Sequence, residues 1–303
     1  MKEILKYLLD YWQTIDRRVL WLSCIFISAA IFINYYFGLN KTLSAFTFPF
    51  QYTGWFLVFL IAFSFAYVTN SLLSGNTYFR HRSFNILLFV APAIFAWKIS
   101  YSTNFNFSAT VDENTYWNNV FYWPVKLIII ILALLIVWRL FDKDQKFYGF
   151  EIKQFDAKPY FVMLLIMIPV IAAASTQTDF LNMYPKLHNI AFLNLQGNKG
   201  WYKILYELSY GSDFIGIELF FRGFLVLAFV KWAGKDAILP MALFYCTIHF
   251  GKPLGECISS FFGGLILGVI TYNTRSIFGG LMVHLGIAWM MELGGYLGHL
   301  SRM

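Results

Sequence analysis

Charge is scarce in this sequence. Of its 303 residues only 13% are charged, 23 basic and 16 acidic, whereas 59% are hydrophobic. A soluble domain carries about 25% charged residues, so this composition excludes a soluble enzyme, a disordered protein and a fibrous protein. The net charge of +7 is spread between apolar runs instead of being clustered on a soluble face. We therefore expect a polytopic membrane protein surrounded by lipid, with no nucleic-acid partner.

Cysteines and repeats are equally uninformative. The three cysteines, Cys24, Cys246 and Cys257, lie in or beside apolar segments without framework spacing, so we expect buried thiols and no structural disulfide. No internal repeat is visible, which counts against a transporter built from inverted repeats. No small-residue cleavage site follows the first apolar run, so we expect no removable signal peptide.

Long apolar runs, by contrast, are abundant. A helix needs about 20 residues to cross a membrane, and a strand edge left open in lipid is excluded. The sequence thus predicts an all-α bundle of eight or nine transmembrane helices, near residues 19–38, 54–73, 84–101, 118–138, 159–175, 204–230, 237–250, 255–273 and 277–297. Residues 1–18 have an amphipathic pattern, which predicts an interfacial helix in the headgroup plane.

The spans and loops predict four regions. An interfacial segment (1–18) precedes scaffold helices (19–175), an external polar loop (176–203) and a helical core (204–298).

Basic residues set the predicted orientation. With the N-terminus inside, the cytoplasmic loops hold fourteen of them: Lys2, Lys6, Arg17, Arg18, Arg80, Arg82, Arg139, Lys143, Lys146, Lys153, Lys158, Lys231, Lys235 and Arg275. The outside holds six: Lys41, Lys186, Lys199, Lys203, Lys252 and Arg302. This bias predicts an integral protein of a bacterial cytoplasmic (inner) membrane with its N-terminus inside.

Acidic residues are absent from the first five predicted spans. The first five spans contain only two charged residues, Lys98 and Lys126, both near a span end. The last four spans and their borders contain eight charged or titratable groups: Glu207, Asp213, Glu218, Arg222, His249, Glu256, His284 and Glu292. Charge inside a membrane costs about 2.5–3.5 kcal/mol on insertion scales, so each such group is a functional candidate. We predict that the first half is scaffold and that the chemistry begins near residue 204.

Each candidate also has a structural interpretation. Glu218 and Arg222 are four residues apart on one helix face and could form an internal ion pair. His249 at a helix end could be a hydrogen-bonding group, and Glu256 could compensate a helix N-terminus. His284 lies two turns into the last span among apolar residues, where function is the better explanation.

Together these residues predict hydrolysis. With the predicted topology, one carboxylate and two imidazoles converge in the outer half of the bilayer. A carboxylate with an imidazole can activate water, and a second imidazole can donate to a developing oxyanion. The reaction implied is hydrolysis of a peptide bond at or inside the membrane.

The sequence Glu218-Leu-Phe-Phe-Arg222-Gly223, followed by His249 and His284, resembles the CPBP family of intramembrane proteases. That family includes type II CAAX prenyl endopeptidases, bacteriocin-processing or self-immunity (Abi-like) proteins and glutamic-type proteases. Its pattern is two adjacent glutamates and, after three residues, an arginine, then Phe-x-x-x-His, then His-x-x-x-Asn. The resemblance covers residues 204–292.

Three positions depart from that pattern. Ile217 replaces the first glutamate, which the family uses as base; Tyr245 replaces the phenylalanine, a mild change, and Ala288 replaces the asparagine. We expect Glu218 or Glu256 to supply the base, His249 its partner and His284 the oxyanion stabiliser, with Arg222 and Tyr245 in support. The alternative is a non-catalytic pseudoprotease that acts as an immunity or membrane scaffold protein. A proton-coupled transporter is a third, weaker interpretation.

The resemblance also implies cofactors and partners. It favours a metal-free mechanism, although two histidines and a glutamate leave a zinc site open. The expected substrate is a membrane-anchored or exported protein, cut in a membrane-proximal or C-terminal tail. Gly264 and Gly268, with Gly263 beside them, predict a face for close helix packing.

Overall fold

A computed structural model of the chain describes residues 1–102, 104–151, 155–190, 192–193 and 200–302. Every regular element in those ranges is helical, which confirms the all-α prediction. The α-helices are α1 (Lys2–Thr14), α2 (Arg17–Phe37), α3 (Leu39–Ser44), α4 (Phe48–Ser74), α5 (Arg82–Ser100), α6 (Val111–Phe141), α7 (Lys158–Ala174), α8 (Thr178–Leu181), α9 (Gly200–Glu218), α10 (Val230–Ala233), α11 (Ile238–Thr247), α12 (Leu254–Thr274) and α13 (Phe278–Leu300). A π-helix, Leu219–Ala228, follows α9 directly, and short 3-10 turns cover Tyr78–Arg80, Lys186–Asn189 and Gly234–Ala237.

Each predicted span coincides with a helix. The span near 204–230 is α9 continued by the π-helix, and the short seventh span is α11. Within the described ranges, five helices are long and apolar enough to cross a membrane: α2, α4, α5, α6 and α12. The polytopic helical bundle is therefore confirmed, and the chain is an integral membrane protein. Lys153, Lys199 and part of the predicted external loop, residues 191 and 194–199, lie outside the described residues.

The chain divides into two compact units. Unit 1 comprises Met1–Tyr101, Ala133–Gln154 and Leu219–Gly280, and unit 2 comprises Ser102–Leu132, Phe155–Glu218 and Leu281–Met303. The boundaries fall inside α6, between α9 and the π-helix, and inside α13. The candidate site residues are divided between the two units. Unit 2 contains Glu218 and His284, and unit 1 contains Arg222, Tyr245, His249 and Glu256.

Unit 1 is built on aromatic packing. Helix α4 packs on α5 and on α11, and α11 packs on α12. Between them Phe59, Phe63, Phe95, Phe220 and Phe244 stack in tilted and edge-to-face pairs and are almost fully buried. Such ring pairs contribute about 0.5–1.5 kcal/mol each beyond their area burial. This core explains how a chain with few hydrogen-bonding side chains still specifies helix positions.

The predicted small-residue face lies between α11 and α12. A β-carbon on Gly264 would come 3.1 Å from Tyr245 Cδ1, and one on Gly268 would come 2.6 Å from Met241 Cε. Gly263, in contrast, has open space around it. The close approach therefore depends on two of the three glycines, and it brings α12 directly against Tyr245.

The charged loop after α6 is held in place within unit 1 by a polar network. Tyr148 donates a hydrogen bond to Asp142 Oδ2 at 2.7 Å, and Lys231 pairs with the other oxygen of that carboxylate. Burial, with the nearby Asp142 carboxylate as a second cause, raises the pKa of Tyr148 far above its usual range, so the phenol stays a donor. This small network anchors the loop close to the π-helix.

Unit 2 is arranged around α9. Ser209 donates to the carbonyl of Val120 on α6, and Gly216 lies beside Leu127 on the same helix. Gly211 faces Leu285 and Trp289 of α13. Tyr210, Phe214 and Ala288 form a buried apolar layer between α9 and α13. Helices α9 and α13 thus run side by side. In α9, Glu207 precedes the residues of this layer and Glu218 follows them; in α13, His284 precedes Ala288 and Glu292 follows it.

Candidate functional site

Glu218 and His284 form a buried pair in unit 2. Glu218 is the last residue of α9 and is fully buried, and His284 lies two turns into α13. His284 Nδ1 lies 2.9 Å from Glu218 Oε1. An ionised carboxylate only accepts hydrogen bonds, so with Glu218 ionised the imidazole donates to it through Nδ1.

Phe214 orients the imidazole from the side. It precedes Glu218 by one turn of α9, and its ring meets the ring of His284 edge to face, with centroids 4.7 Å apart. The side chain of His284 remains 14% exposed, whereas that of Glu218 is not exposed. The carboxylate fixes one ring nitrogen and the phenyl ring fixes the ring plane, so the second nitrogen has a defined direction. Phe214 has no signal in the motif; its position one turn before Glu218 is the only sequence clue.

The chain continues from Glu218 into a π-helix. All ten residues from Leu219 to Ala228 are buried. π-Type turns are rare, usually short, and often occur at functional sites. A β-carbon on Gly223 would lie 2.5 Å from the carbonyl oxygen of Tyr148, so this motif position admits no side chain. Hydropathy gave no sign of this widened helix, because i to i+5 hydrogen bonding leaves the apolar composition unchanged.

Tyr245 organises the motif residues of unit 1. The guanidinium carbon of Arg222 lies 4.0 Å from the centre of the Tyr245 ring, and Arg222 is fully buried. His249 Nδ1 lies 2.9 Å from the Tyr245 carbonyl oxygen, and the two rings meet edge to face at 4.7 Å. Because a carbonyl only accepts, His249 donates this hydrogen bond through Nδ1.

The turn after His249 is held by the first membrane helix. Asn34 of α2 donates to the carbonyl of Phe250 at 2.8 Å, and Tyr35 donates to the carbonyl of Lys252 at 2.5 Å. Asn34 is buried and also accepts the Asn40 N–H, which fixes its amide. The predicted scaffold half therefore contributes side chains that position the His249 turn.

Glu256 lies in the first turn of α12. Its carboxylate is 3.3 Å from the ammonium of Lys252, four residues earlier, and its side chain is 17% exposed. These contacts fit the structural interpretation of Glu256, in which its charge compensates the N-terminus of the helix and pairs with a lysine four residues away. The structure places Glu256 with Lys252 and places Glu218 with His284; His249, predicted as the partner of the base, has the Tyr245 carbonyl on Nδ1.

Two of the three departures from the family pattern, Ile217 and Ala288, are buried apolar residues. Ile217 is 7% exposed, and Ala288 is 4% exposed within the layer formed with Tyr210 and Phe214. Neither position supplies a polar atom to the Glu218–His284 pair.

A metal would need converging donors. Among the described residues, no three His, Cys, Asp or Glu side chains form a group suited to a metal ion. The zinc alternative thus has no donor set in this part of the chain, and metal independence stays a prediction.

The comparisons with known proteins bear on the same segment. Residues 209–290 match the sequence model of the family described as Rce1-like, type II CAAX prenyl endopeptidase. No curated protein and no solved structure matches the chain. The match begins one turn before Phe214, includes both imidazoles, and confirms the resemblance to the CPBP proteases. Over residues 209–290, this integral membrane protein is thus similar in sequence to the Rce1-like, type II CAAX prenyl endopeptidases.

Proposed function

We propose that this protein is an intramembrane endopeptidase whose water is activated by Glu218 and His284. The observation that carries the proposal is the 2.9 Å contact between a fully buried carboxylate and an imidazole. Keeping that charge buried is expensive for folding, and a carboxylate that orients a histidine is a common arrangement for proton transfer. The family match supports a peptidase. The contact between Glu218 and His284 supports these two residues as its acid–base groups.

The chemistry follows from the two nitrogens. Glu218 holds Nδ1–H, and Nε2 accepts a proton from water as the hydroxide oxygen bonds to the peptide carbonyl carbon. The imidazolium formed is stabilised by the Glu218 carboxylate and then returns its proton to the leaving amine nitrogen. General acid–base transfer of this kind contributes about 10²–10⁴-fold to rate. In this scheme the carboxylate that Ile217 replaces is not required.

His249, Glu256, Arg222 and Tyr245 remain site proposals from the sequence. His249 was predicted as the partner of the base, and within unit 1 its Nδ1 donates to the Tyr245 carbonyl. Arg222 and Tyr245 support it by stacking. Glu256 is the second candidate base. We further propose a metal-free reaction on a membrane-proximal or C-terminal tail, at a site in the outer half of a cytoplasmic membrane.

A second function has support from two residues. Ile217 and Ala288 lack the polar groups of the family pattern and pack in apolar surroundings. A pseudoprotease that serves as an immunity or membrane scaffold protein would tolerate both changes. It would not, however, need a histidine on the Glu218 carboxylate.

One comparison tests the two functions. Membrane-protein tails are measured by mass spectrometry in cells that carry the wild type, a deletion, Glu218→Gln, His284→Ala, His249→Ala or Glu256→Gln. His81→Ala, an exposed histidine at the start of α5, is the matched control. The protease proposal expects uncut tails to accumulate in the deletion, Glu218→Gln and His284→Ala, but not in the control. If the deletion accumulates no tail, the pseudoprotease is the better account. If the protein still cleaves its substrate in the presence of a chelator, the reaction does not depend on zinc.

A further inference from the structure

Unit 2 contains a cavity that the proposed reaction does not use. It has a volume of about 550 Å³, within the range of ligand sites. Apolar walls come from Leu187, Leu193, Trp289 and Tyr296, and two carboxylates, Glu207 and Glu292, also line it. Lys203 and His188 complete its polar part. An apolar cavity with a few converging charged groups is the usual form of a specific binding site.

Glu207 is a buried carboxyl group without a hydrogen bond from the described residues. Both of its carboxylate oxygens are buried, and neither accepts a hydrogen bond from the described residues. A polar group buried without a hydrogen bond costs about 1–3 kcal/mol by mutational data. Ionisable groups that a fold keeps at such a cost mark functional sites.

Glu292 adds a second acceptor beside it. It is 7% exposed, and its Oε2 accepts the backbone N–H of Lys186 at 2.8 Å. Glu292 repels the charge on Glu207, and Lys186 offsets part of that repulsion. The Lys186 ammonium itself lies over the Tyr210 ring, 4.1 Å from its centre. Neither Lys186 nor Lys203, the two lysines near the cavity, donates a hydrogen bond to Glu207.

We propose that this cavity binds the side chain of a lysine or arginine of the polypeptide substrate. Carboxylates form their strongest hydrogen bonds with ammonium and guanidinium groups. The apolar walls fit the methylene stem of such a side chain, and indole and phenol rings attract its charge. This inference rests on the proposed endopeptidase function and adds a substrate class to it.

The spacing along the two helices sets where that residue lies in the substrate. Glu207 precedes Glu218 by eleven positions, which is three turns on the same face of α9 and about 16 Å of rise. Glu292 follows His284 by eight positions on α13, about 12 Å. An extended peptide covers about 3.3 Å per residue. The basic residue should therefore stand about four or five residues from the cleaved bond.

Binding tests the cavity directly. The purified full-length protein in detergent is titrated with an apolar peptide that carries one lysine, and with its twin that carries norleucine at the same position. We expect the lysine peptide to bind at least ten-fold tighter, and this preference to disappear in Glu207→Gln and Glu292→Gln. Asp179→Asn, which removes an exposed carboxylate of the same unit, should keep it. Equal affinities of the two peptides, or a preference that survives both glutamine variants, would overturn the proposal.

A lipid amine is the competing ligand. If phosphoethanolamine saturates the protein and this binding depends on Glu207 and Glu292 while the peptides do not differ, the cavity binds a lipid headgroup and the proposal is wrong. Glu207→Gln is expected to fold, because the carboxylate makes no hydrogen bond to lose, and thermal unfolding of each variant checks this. Glu207→Asp, which keeps the charge on a shorter stem, should retain a reduced preference for lysine.

The two proposals fail separately. In a cleavage assay, lysine to norleucine in the substrate should raise KM about ten-fold and change kcat less than two-fold. Glu218→Gln should lose cleavage but keep the lysine preference in binding. If the lysine and norleucine substrates are cleaved equally well, only the proposal of a cation-binding cavity is wrong. If the lysine peptide binds more tightly but Glu218→Gln cleaves like the wild type, only the proposed catalytic pair is wrong.

Discussion

Helices α9 and α13 carry two acidic sites that differ in one respect. At one, the carboxylate of Glu218 is paired with His284 at 2.9 Å. At the other, Glu207 lies near a second carboxylate, Glu292, and accepts no hydrogen bond from the described residues. The apolar layer of Tyr210, Phe214 and Ala288 packs the two helices together between these positions in the sequence. A paired charge is suited to moving protons, and an unpaired one to receiving a cation from outside the chain.

The largest expected effect on folding is at the paired site. His284→Ala leaves the Glu218 carboxylate buried without its imidazole, and removing one partner of a buried pair costs about 3–5 kcal/mol. Unfolding in detergent micelles measures this. His249→Ala removes a hydrogen bond to a carbonyl and should cost only about 0.5–1.5 kcal/mol. Equal losses in the two variants would contradict a charged pair at Glu218.

Restoring the first family glutamate should harm the paired site instead of improving it. Ile217 is 7% exposed, so Ile217→Glu buries a third charged group next to Glu218 in the chain. We expect a loss of about 2–4 kcal/mol in unfolding free energy and no gain in cleavage. Ile217→Met, which nearly conserves volume, should cost less than about 1.5 kcal/mol. A rise in kcat with Ile217→Glu would contradict this prediction. It would mean that Glu218 and His284 do not supply the base that the family's first glutamate provides.

The carboxylate site can be distorted without touching the pair. Gly295, one turn after Glu292, has the Tyr184–Pro185 backbone against it, and a β-carbon there would lie 2.4 Å from the Tyr184 carbonyl carbon. Because backbone cannot move aside easily, Gly295→Ala should cost about 1–3 kcal/mol and weaken binding of the lysine peptide. Gly200→Ala meets open space and is the control. If Gly295→Ala is destabilised but still binds the lysine peptide as the wild type does, the peptide does not bind in the cavity beside Glu292.

The smallest expected effect on stability is at the unpaired carboxylate. Glu207→Gln removes a buried charge that makes no hydrogen bond within the described residues, so the free energy of unfolding should stay the same or rise by up to about 1 kcal/mol. Chemical unfolding in micelles at pH 7 measures this. A loss of more than 1 kcal/mol would show that Glu207 supports the fold, which removes the argument for a ligand.

Much of the fold was predictable because lipid leaves so few alternatives. Each apolar run predicted a helix, and the helices are confirmed. Gly264 and Gly268 were also identified from spacing, whereas Gly263 has no close neighbour. The π-helix was missed, since its hydrogen bonding is not encoded in hydropathy. The contributions of Asn34 and Tyr35 to the His249 turn were missed for another reason: they join residues over 200 positions apart.

The sequence named the candidate residues Glu218, His249 and His284 but not how they pair in the structure. Glu218, His249 and His284 all follow from the motif, yet the motif does not say which imidazole meets the carboxylate. That depends on the packing of α9 against α13, through Gly211 and Phe214, which no spacing within either helix determines. The same packing brings Glu207 to Glu292, two residues that the sequence marked as costly without giving them a task.

The most direct test of the Glu218–His284 pair is cleavage by purified protein. A membrane-embedded substrate identified from the accumulated tails is incubated with the wild type, Glu218→Gln, His284→Ala, the double variant and the His81→Ala control. We predict that each single variant loses at least 100-fold in kcat, as expected for removal of a general base. The double variant should lose little more, because the two residues act as one unit. Wild-type kcat in either single variant, or losses that multiply in the double variant, would contradict the account.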